Sequence, residues 1–420
     1  MAFGIALSGI GSAQTDLDVT ANNIANSQTT GYKESRTEFA ELFSTSLQGV
    51  SSLQPGNGVR VSRIAQQFSQ GNIETSSNSL DMAINGSGFF VVSDAGALQY
   101  TRAGAFTTDA NGVVTNAAGQ HLQVYPALSN GAFNTSTMGD LQVQTSQSAP
   151  SATTTAQTIF NLPANAAVPT VSTFDPADAS SYNNATSVTV YDSLGAAHTS
   201  TMYFVKTATP NQWDTRLYVD GTAVGTGGNP AATPPVPPTY TQTLTYSASG
   251  ALTSPAGGQV NFGSYTPTTG ANPMNITFDF SKSSQYGNSF GVTSVSQDGY
   301  TTGQLSGISV DNSGVVQANF TNGQSISLGQ VAMVNFANPQ GLQKVDGTNW
   351  AETFASGQAV LGKSGASGFG QLQSGATEAS NVDVTKQLVN MIVAQRNYQA
   401  NAQMISTEKS ITETIINMAR

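Results

Sequence analysis

Apolar positions recur every three and four residues at the two ends of the chain, and every two residues between them. Phe3, Ala6, Ile10, Ala13, Leu17, Thr20 and Ile24 alternate in this way, with Thr20 the polar exception. That is a heptad seam, and it predicts a helix over residues 1–26. A second seam runs through Val384, Leu388, Met391, Gln395, Tyr398, Ala402, Ile405, Lys409, Thr412, Ile416 and Ala419. Ser380, followed three residues later by Asp383, predicts a capping box at the start of this helix.

Neither helix carries an apolar stripe wide enough to hold it alone. Gly4, Gly9 and Gly11 weaken the first further, each by about 1 kcal/mol relative to Ala. It is therefore expected to be largely unfolded until something packs on it. Apolar residues also lie off both seams, at Ile5 and Val19 and at Val389 and Val393. A hairpin of the two ends would leave these wet, so contacts with neighbouring copies of the chain are favoured over an intramolecular pair.

Between the ends the pattern is that of short strands and tight turns. Asp94-Ala-Gly96, Asp109-Ala-Asn-Gly112 and Asp311-Asn-Ser-Gly314 fall at corresponding places, and "DANGVV" and "DNSGVV" predict equivalent hairpins in one β domain. A block from about Ser148 has strands of its own, such as "SVTVYDSLG" and "STMYFVK", and the proline-rich loop "GTGGNPAATPPVPPTY". Hairpins of the first style resume after it. The expected fold is mainly β with α-helical termini: coiled-coil-like end helices, a discontinuous inner β domain and an outer β domain inserted into it.

Composition narrows the function. Charged residues are 9% of the chain, against roughly 25% in ordinary domains, so the surface is built from Ser, Thr, Asn, Gln and Ala. A net charge of -10 with scattered basic residues argues against nucleic-acid binding. The absence of cysteine excludes disulfides and thiolate chemistry. No run approaches the ~18 apolar residues of a membrane span, and the N-terminal segment lacks the basic region of a cleaved signal, its first basic residue being Lys33.

Candidate chemistry is sparse. His121 and His198 have no acidic or histidine neighbours at ligand spacing and read as structural. Gly86-Ser-Gly88 is a turn rather than a dinucleotide loop, since Val91 stands where the third glycine belongs. The Asp-rich turns lack the alternating ligands and closing Glu of a calcium loop. Pro234, Pro235, Pro237 and Pro238 fit a PxxP pattern but read as an exposed loop tip. No catalytic residue, cofactor or metal is expected.

Two long motifs carry a resemblance. "TANNIANSQTTGYKESRTEFAELF" is similar to the N-terminal signature of the rod and hook axial proteins of the bacterial flagellum, with Asn22, Asn23, Ile24, Asn26, Thr29, Gly31, Tyr32 and Lys33 in the matching positions. "ASNVDVTKQLVNMIVAQRNYQANAQMISTEKSI" resembles the C-terminal signature of the same family. "GVRVSRIAQQFSQGNIETSSNSLDMAINGSGFF", "QVAMVNFANPQGLQKVDGTNWAETFASG" and the inserted domain resemble its hook branch, weakly between about Gly221 and Gln297.

That resemblance implies a self-assembling subunit of a curved, flexible tube that joins rod to filament and transmits torque. It divides the chain into an inner-tube helix at 1–26, a connecting linker at 27–70, an inner β domain at 71–147 and 297–373, an outer β domain at 148–296, and a second inner-tube helix at 374–420. Phe3, Ile10, Leu17, Ile24, Leu388, Met391, Tyr398, Ile405 and Ile416 become the expected assembly interface. The Asn, Thr and Gly residues after Ile24 are expected to release the chain from tube to linker. Implied partners are other copies of the chain, the distal rod, the hook cap, the hook–filament junction protein, the hook-length control protein and the flagellar export apparatus, with no membrane insertion. The implied location is the extracellular flagellum, reached by export without a cleaved signal. A rod subunit with an insertion, and a secreted β-rich adhesin or carbohydrate-binding protein, are the alternatives.

Overall fold

The computed structural model describes residues 2–42, 56–128, 130–143, 147–226 and 239–418. The chain divides into two compact units: Met1–Thr145 with Ser306–Asn319 and Ser325–Arg420, and Ser146–Leu305 with Phe320–Gln324. The first unit is thus assembled from both ends of the sequence. Among the described residues no helix is long and apolar enough to cross a membrane.

In the first unit, α1 (Ala2–Ala25) and α2 (Val384–Met418) pack on each other. At 1.5 Å per residue they are roughly 36 and 52 Å long. The N-cap of α2 is Asp383, whose Oδ1 accepts from Thr385 N at 2.9 Å and Lys386 N at 3.2 Å. The capping box expected from Ser380 is therefore replaced by an Asp cap one turn later, because Ser380 Oγ accepts instead from Val382 N. The stretch expected as a linker contains an antiparallel pair, β1 (Ser35–Glu41) and β2 (Val59–Gln66), which packs on α1.

Beyond it, β3 (Ile73–Thr75) pairs with Ala376–Glu378, and β4 (Met82–Asn85) pairs with Gln371–Ser374. Among the described residues the main sheet has 13 strands. Its hairpin β5 (Phe89–Asp94) and β6 (Ala97–Thr101) receives strands from the far side of the insertion: Met333 pairs with Phe90, and Trp350 with Tyr100. Phe89, Val91, Tyr100, Phe336 and Trp350 form the core beneath, with Phe68 packed edge-on against Phe89 and Trp350. The two Asp turns are equivalent, as the sequence suggests. Asp109 Oδ1 accepts from Asn111 N and Val113 N, and Asp311 Oδ1 accepts from Ser313 N and Val315 N, all within 2.9 Å. These carboxylate oxygens are spent on backbone amides.

Among the described residues, the second unit is a β-sandwich of a five-stranded and a six-stranded sheet. Strict alternation in Ala197–Lys206 and Gln212–Val219 sends Met202, Phe204, Trp213 and Leu217 inward. They meet Phe160, Phe278 and Phe280 from the other sheet. His198 lies at the edge of this core. Its Nδ1 is 2.5 Å from Asp220 Oδ2 and its Nε2 3.2 Å from Asp192 Oδ2, so acids six and 22 residues away supply partners that no ligand spacing shows. Likewise His121 Nδ1 is 2.7 Å from Asp140 Oδ2 in the first unit. Among the described residues no group of three or more such side chains is placed to hold a metal ion.

Candidate assembly site

The helical hairpin and the polar knot at its base are built from the two ends of the chain. Asn23 is almost fully buried. Its Nδ2 donates to Ser35 O at 2.8 Å and its Oδ1 accepts from Ser35 N at 2.9 Å, so one amide side chain pairs with both backbone groups of Ser35, as a strand would. The Tyr32 hydroxyl lies 2.9 Å from Asn22 Oδ1 and 3.1 Å from Asn23 Oδ1. Asn26 Nδ2 donates back to Asn22 O, and Thr29 Oγ1 donates to Asn26 Oδ1. Ile24, half-buried, offers its carbonyl to Ser27.

Gly31 has φ of +71°, and a Cβ there would collide with Ala103 N. Only glycine lets the chain turn this close to another backbone, where Gly31 N donates to Glu378 O at 2.7 Å. Lys33 then reaches inward. Its Nζ donates to Ser69 O at 2.8 Å and to Glu378 Oε1 at 2.6 Å, with both side chains fully buried. Arg102 Nη1 approaches Glu378 Oε2 at 3.4 Å. Burial lowers the pKa of Lys33, and the Glu378 carboxylate opposes that shift.

The same knot holds the start of α2. Asn381 Oδ1 accepts from Glu34 N at 2.7 Å, while its Nδ2 donates to Gln67 O at 2.8 Å. Gln387 Nε2 donates to Glu34 Oε1 at 2.8 Å, and its Oε1 lies 3.4 Å from Asn23 Nδ2. The residues expected to release the chain after Ile24 therefore fasten it. Asn and Thr side chains satisfy backbone groups that a sharp turn leaves unpaired.

Along the hairpin, α1 is held from two sides. Ser8 Oγ accepts from Val59 N at 3.2 Å on β2, and on the α2 side Gly9 lies against Asn401. Ala6, Ala13 and Thr20 are buried on α1, and Gln387 and Ala394 on α2. These recur at intervals of seven, as the expected seams do, but the residues are small or polar.

The expected interface residues divide accordingly. Ile10, Leu17, Ile24, Met391 and Ile405 are half-buried in the hairpin. Phe3, Leu388, Tyr398 and Ile416 are exposed, at 52%, 48%, 37% and 55%. Val389, Ile392 and Val393 join them on the open side of α2. The register fixed by Asn23 with Gln387 and Gly9 with Asn401 carries α2 past the start of α1 beyond Glu408. Ile411, Ile415, Ile416 and Met418 on that overhang are all exposed. Ala419 and the loop at Pro234, Pro235, Pro237 and Pro238 lie outside the described residues.

The sequence matches four family profiles: flagella basal body rod protein over residues 4–33, flagellar hook protein FlgE/F/G D1 domain over 83–191, flagellar basal body protein FlaE D2 domain over 161–300, and flagellar basal body rod FlgEFG protein C-terminal over 373–418. It is 40% identical over 424 residues to the flagellar hook protein FlgE of Salmonella typhimurium, covering 100% of both chains. The chain belongs to the flagellar hook protein family. The hook protein of Escherichia coli K12 is 38% identical, with 100% of both chains covered, and that of Treponema pallidum 31%, with 99% of this chain and 98% of the relative covered. A crystal structure of Helicobacter pylori flagellar hook protein FlgE2 shares the fold, with a TM-score of 0.52 at 16% identity, over 73% of this chain and 100% of that one. The stretch Asn22–Lys33, read as the signature shared by rod and hook axial proteins, is in structural terms the knot that ties α1, β1 and the start of α2 together.

Proposed function

We propose that this chain is the structural subunit of a flagellar hook: it polymerises through its terminal helices into a curved, flexible tube outside the cell that couples the rod to the filament. The observation that carries this is the open side of α2, where Leu388, Val389, Ile392 and Val393 are about half exposed on a helix fastened to the rest of the unit. A run of apolar side chains on an ordered helix, continued by the overhang beyond Glu408, is a surface that other copies would cover. The low-charge β surfaces suit subunits that slide as the tube bends, since exposed polar contacts are weak and exchangeable. Phe3, Leu388, Tyr398 and Ile416 are the contacts between copies in this reading, and Ile10, Leu17, Ile24, Met391 and Ile405 support them from within the hairpin. The distal rod, hook cap, hook–filament junction protein, length-control protein and export apparatus are its proposed partners.

The test is polymerisation. Leu388→Asp and Ile416→Asp should each leave the monomer folded, by circular dichroism, and abolish sedimentable tubes and motility. Normal tubes from both variants would refute the role of α2.

A further inference from the structure

Phe354 stands out from the first unit. It is the aromatic residue at the tip of the turn Thr353–Ser356, and its side chain is wholly exposed, at 105%. The turn is not loose. Thr353 N donates to Ser356 Oγ at 2.9 Å, Ser356 Oγ donates to Thr353 O at 2.8 Å, and Thr353 Oγ1 donates to Gly341 O at 2.6 Å. Asn338 Nδ2 donates to Ala355 O, and Gly341 lets the turn lean so close that a Cβ there would collide with Ala355 C. A fixed backbone thus presents an apolar ring to water and gives it no contact of its own. Rigid aromatic anchors of this kind bind at low entropic cost.

The same unit has a hollow of about 320 Å³ walled by Phe68, Phe89 and Pro339, with Ser87 on its rim and Arg102 among its lining residues. That is at the small end of ligand-pocket sizes, roughly 300–1,000 Å³, and suits one or two side chains better than a cofactor. The charge beneath it is not balanced. Lys33 and Arg102 share a single carboxylate, Glu378, and Arg102 also lies 5.7 Å from the centre of the Phe89 ring. One positive charge is left over in a poorly solvated place. The Phe354 turn carries the complementary sign, since Glu352 is exposed two residues before the ring.

Resting on the reading of this protein as a polymer subunit, we infer that the Glu352–Phe354 turn of one copy seats in the Phe68–Phe89–Arg102 hollow of the next. The occupant is a second copy. Knob and hollow are different patches on one chain, and such a head-to-tail contact does not close on itself but propagates as a helical array. Phe354 fills the aromatic hollow and Glu352 supplies the missing anion.

The chain has no cysteine, which makes cross-linking clean. Ser87→Cys and Ala355→Cys, both at exposed positions that leave Phe354 intact, are prepared in separate copies, mixed, polymerised and treated with bismaleimidoethane. A covalent heterodimer in the mixed polymer, absent from unpolymerised mixtures and from polymers of either variant alone, is the expected result. Tubes that co-assemble normally without heterodimer overturn the inference and leave the proposed function standing. A wild-type chain that never polymerises overturns both. In parallel, Phe354→Ala should raise the protein concentration needed for polymerisation on the order of tenfold while leaving monomer unfolding unchanged. An unchanged polymerisation threshold also counts against the contact.

Discussion

Gly9 of the first helix and Asn401 of the second approach so closely that a Cβ on Gly9 would lie 2.5 Å from Asn401 Oδ1. A glycine that costs about 1 kcal/mol of helix propensity is thereby explained by packing. The opposing atoms belong to a side chain whose amide donates to Asn397 O at 2.8 Å, so it can move only by giving up that bond.

Gly9→Ala should therefore destabilise the chain in the presence of Asn401 and stabilise it, by about 1 kcal/mol, in an Asn401→Ala background. Urea unfolding followed by circular dichroism at helical wavelengths measures the four corners of the cycle. A Gly9→Ala substitution with the same effect in both backgrounds would show that the two helices do not meet here.

Much of this was legible in the sequence, for reasons that the same residues make clear. Heptad spacing reports helices well, and the seams at Phe3–Ile24 and Val384–Ile416 fall within α1 and α2. The face of α2 that meets α1 escaped, because Gln387, Ala394 and Asn401 are small or polar and lie one residue before the seam read through Leu388, Gln395 and Ala402, whereas Ala6, Ala13 and Thr20 do stand on the α1 seam. A seven-residue repeat of small residues would have been the signal. The motif Asn22–Lys33 was legible as a family signature but not as a clamp, since its partners Glu378, Asn381 and Gln387 lie more than 340 residues away in sequence. The acids around His198 are nearer, six and 22 residues away, but no ligand spacing marks them.

The buried ion group at the base of the knot should be sensitive to removal of one member. Lys33→Met leaves Glu378 buried with only Arg102 at 3.4 Å to balance it. The expected loss is about 3 kcal/mol, the lower end for breaking a buried pair, because the second cation remains. Lys33→Met with Glu378→Gln should cost less than the two single losses summed, since the pair is broken only once, but it should not restore stability, because Arg102 is then buried without its anion. Trp350, buried in the same unit, is the fluorescent reporter in urea titrations made in a Trp213→Phe background. Additive losses in the double variant would show that Lys33 and Glu378 act independently.

In the second unit, His198 should make stability depend on pH. Burial alone would lower its pKa, but hydrogen bonds to Asp220 and Asp192 outweigh it and raise the pKa above 6.5. Burial pushes Asp192 up, yet hydrogen bonds from Thr269, Ala196 N and His198 hold it at about 2. A raised histidine contributes stability in full below its unfolded pKa and loses it as pH climbs through the folded one. A depressed aspartate contributes above about 3.9 and loses its share as pH falls towards 2. Thermal unfolding read by Trp213 in a Trp350→Phe background should decline on the alkaline side of the histidine transition. His198→Gln should remove that decline and keep the acid limb. A wild-type profile flat from pH 6 to 9 would contradict the geometry.

Limited digestion separates the paired part of α2 from its overhang. No basic residue occurs on α1, and Lys33 is buried, so the first exposed trypsin site at the N-terminal end is Arg36, held in the β1–β2 pair. On α2, Arg396 is exposed but falls in the length of helix paired with α1, whereas Lys409 lies beyond Glu408 with a side chain 77% exposed. A helical end with no partner frays at little cost, and cleavage follows the population of open states. Cutting after Lys409 should therefore come first, with Arg396 surviving several-fold longer in the monomer. In the polymer both sites should be protected, because neighbouring copies cover the overhang. Equal rates at the two sites in the monomer would mean that α1 does not hold α2. Cutting after Lys409 at the monomer's rate in intact tubes would mean that the overhang is not where copies join.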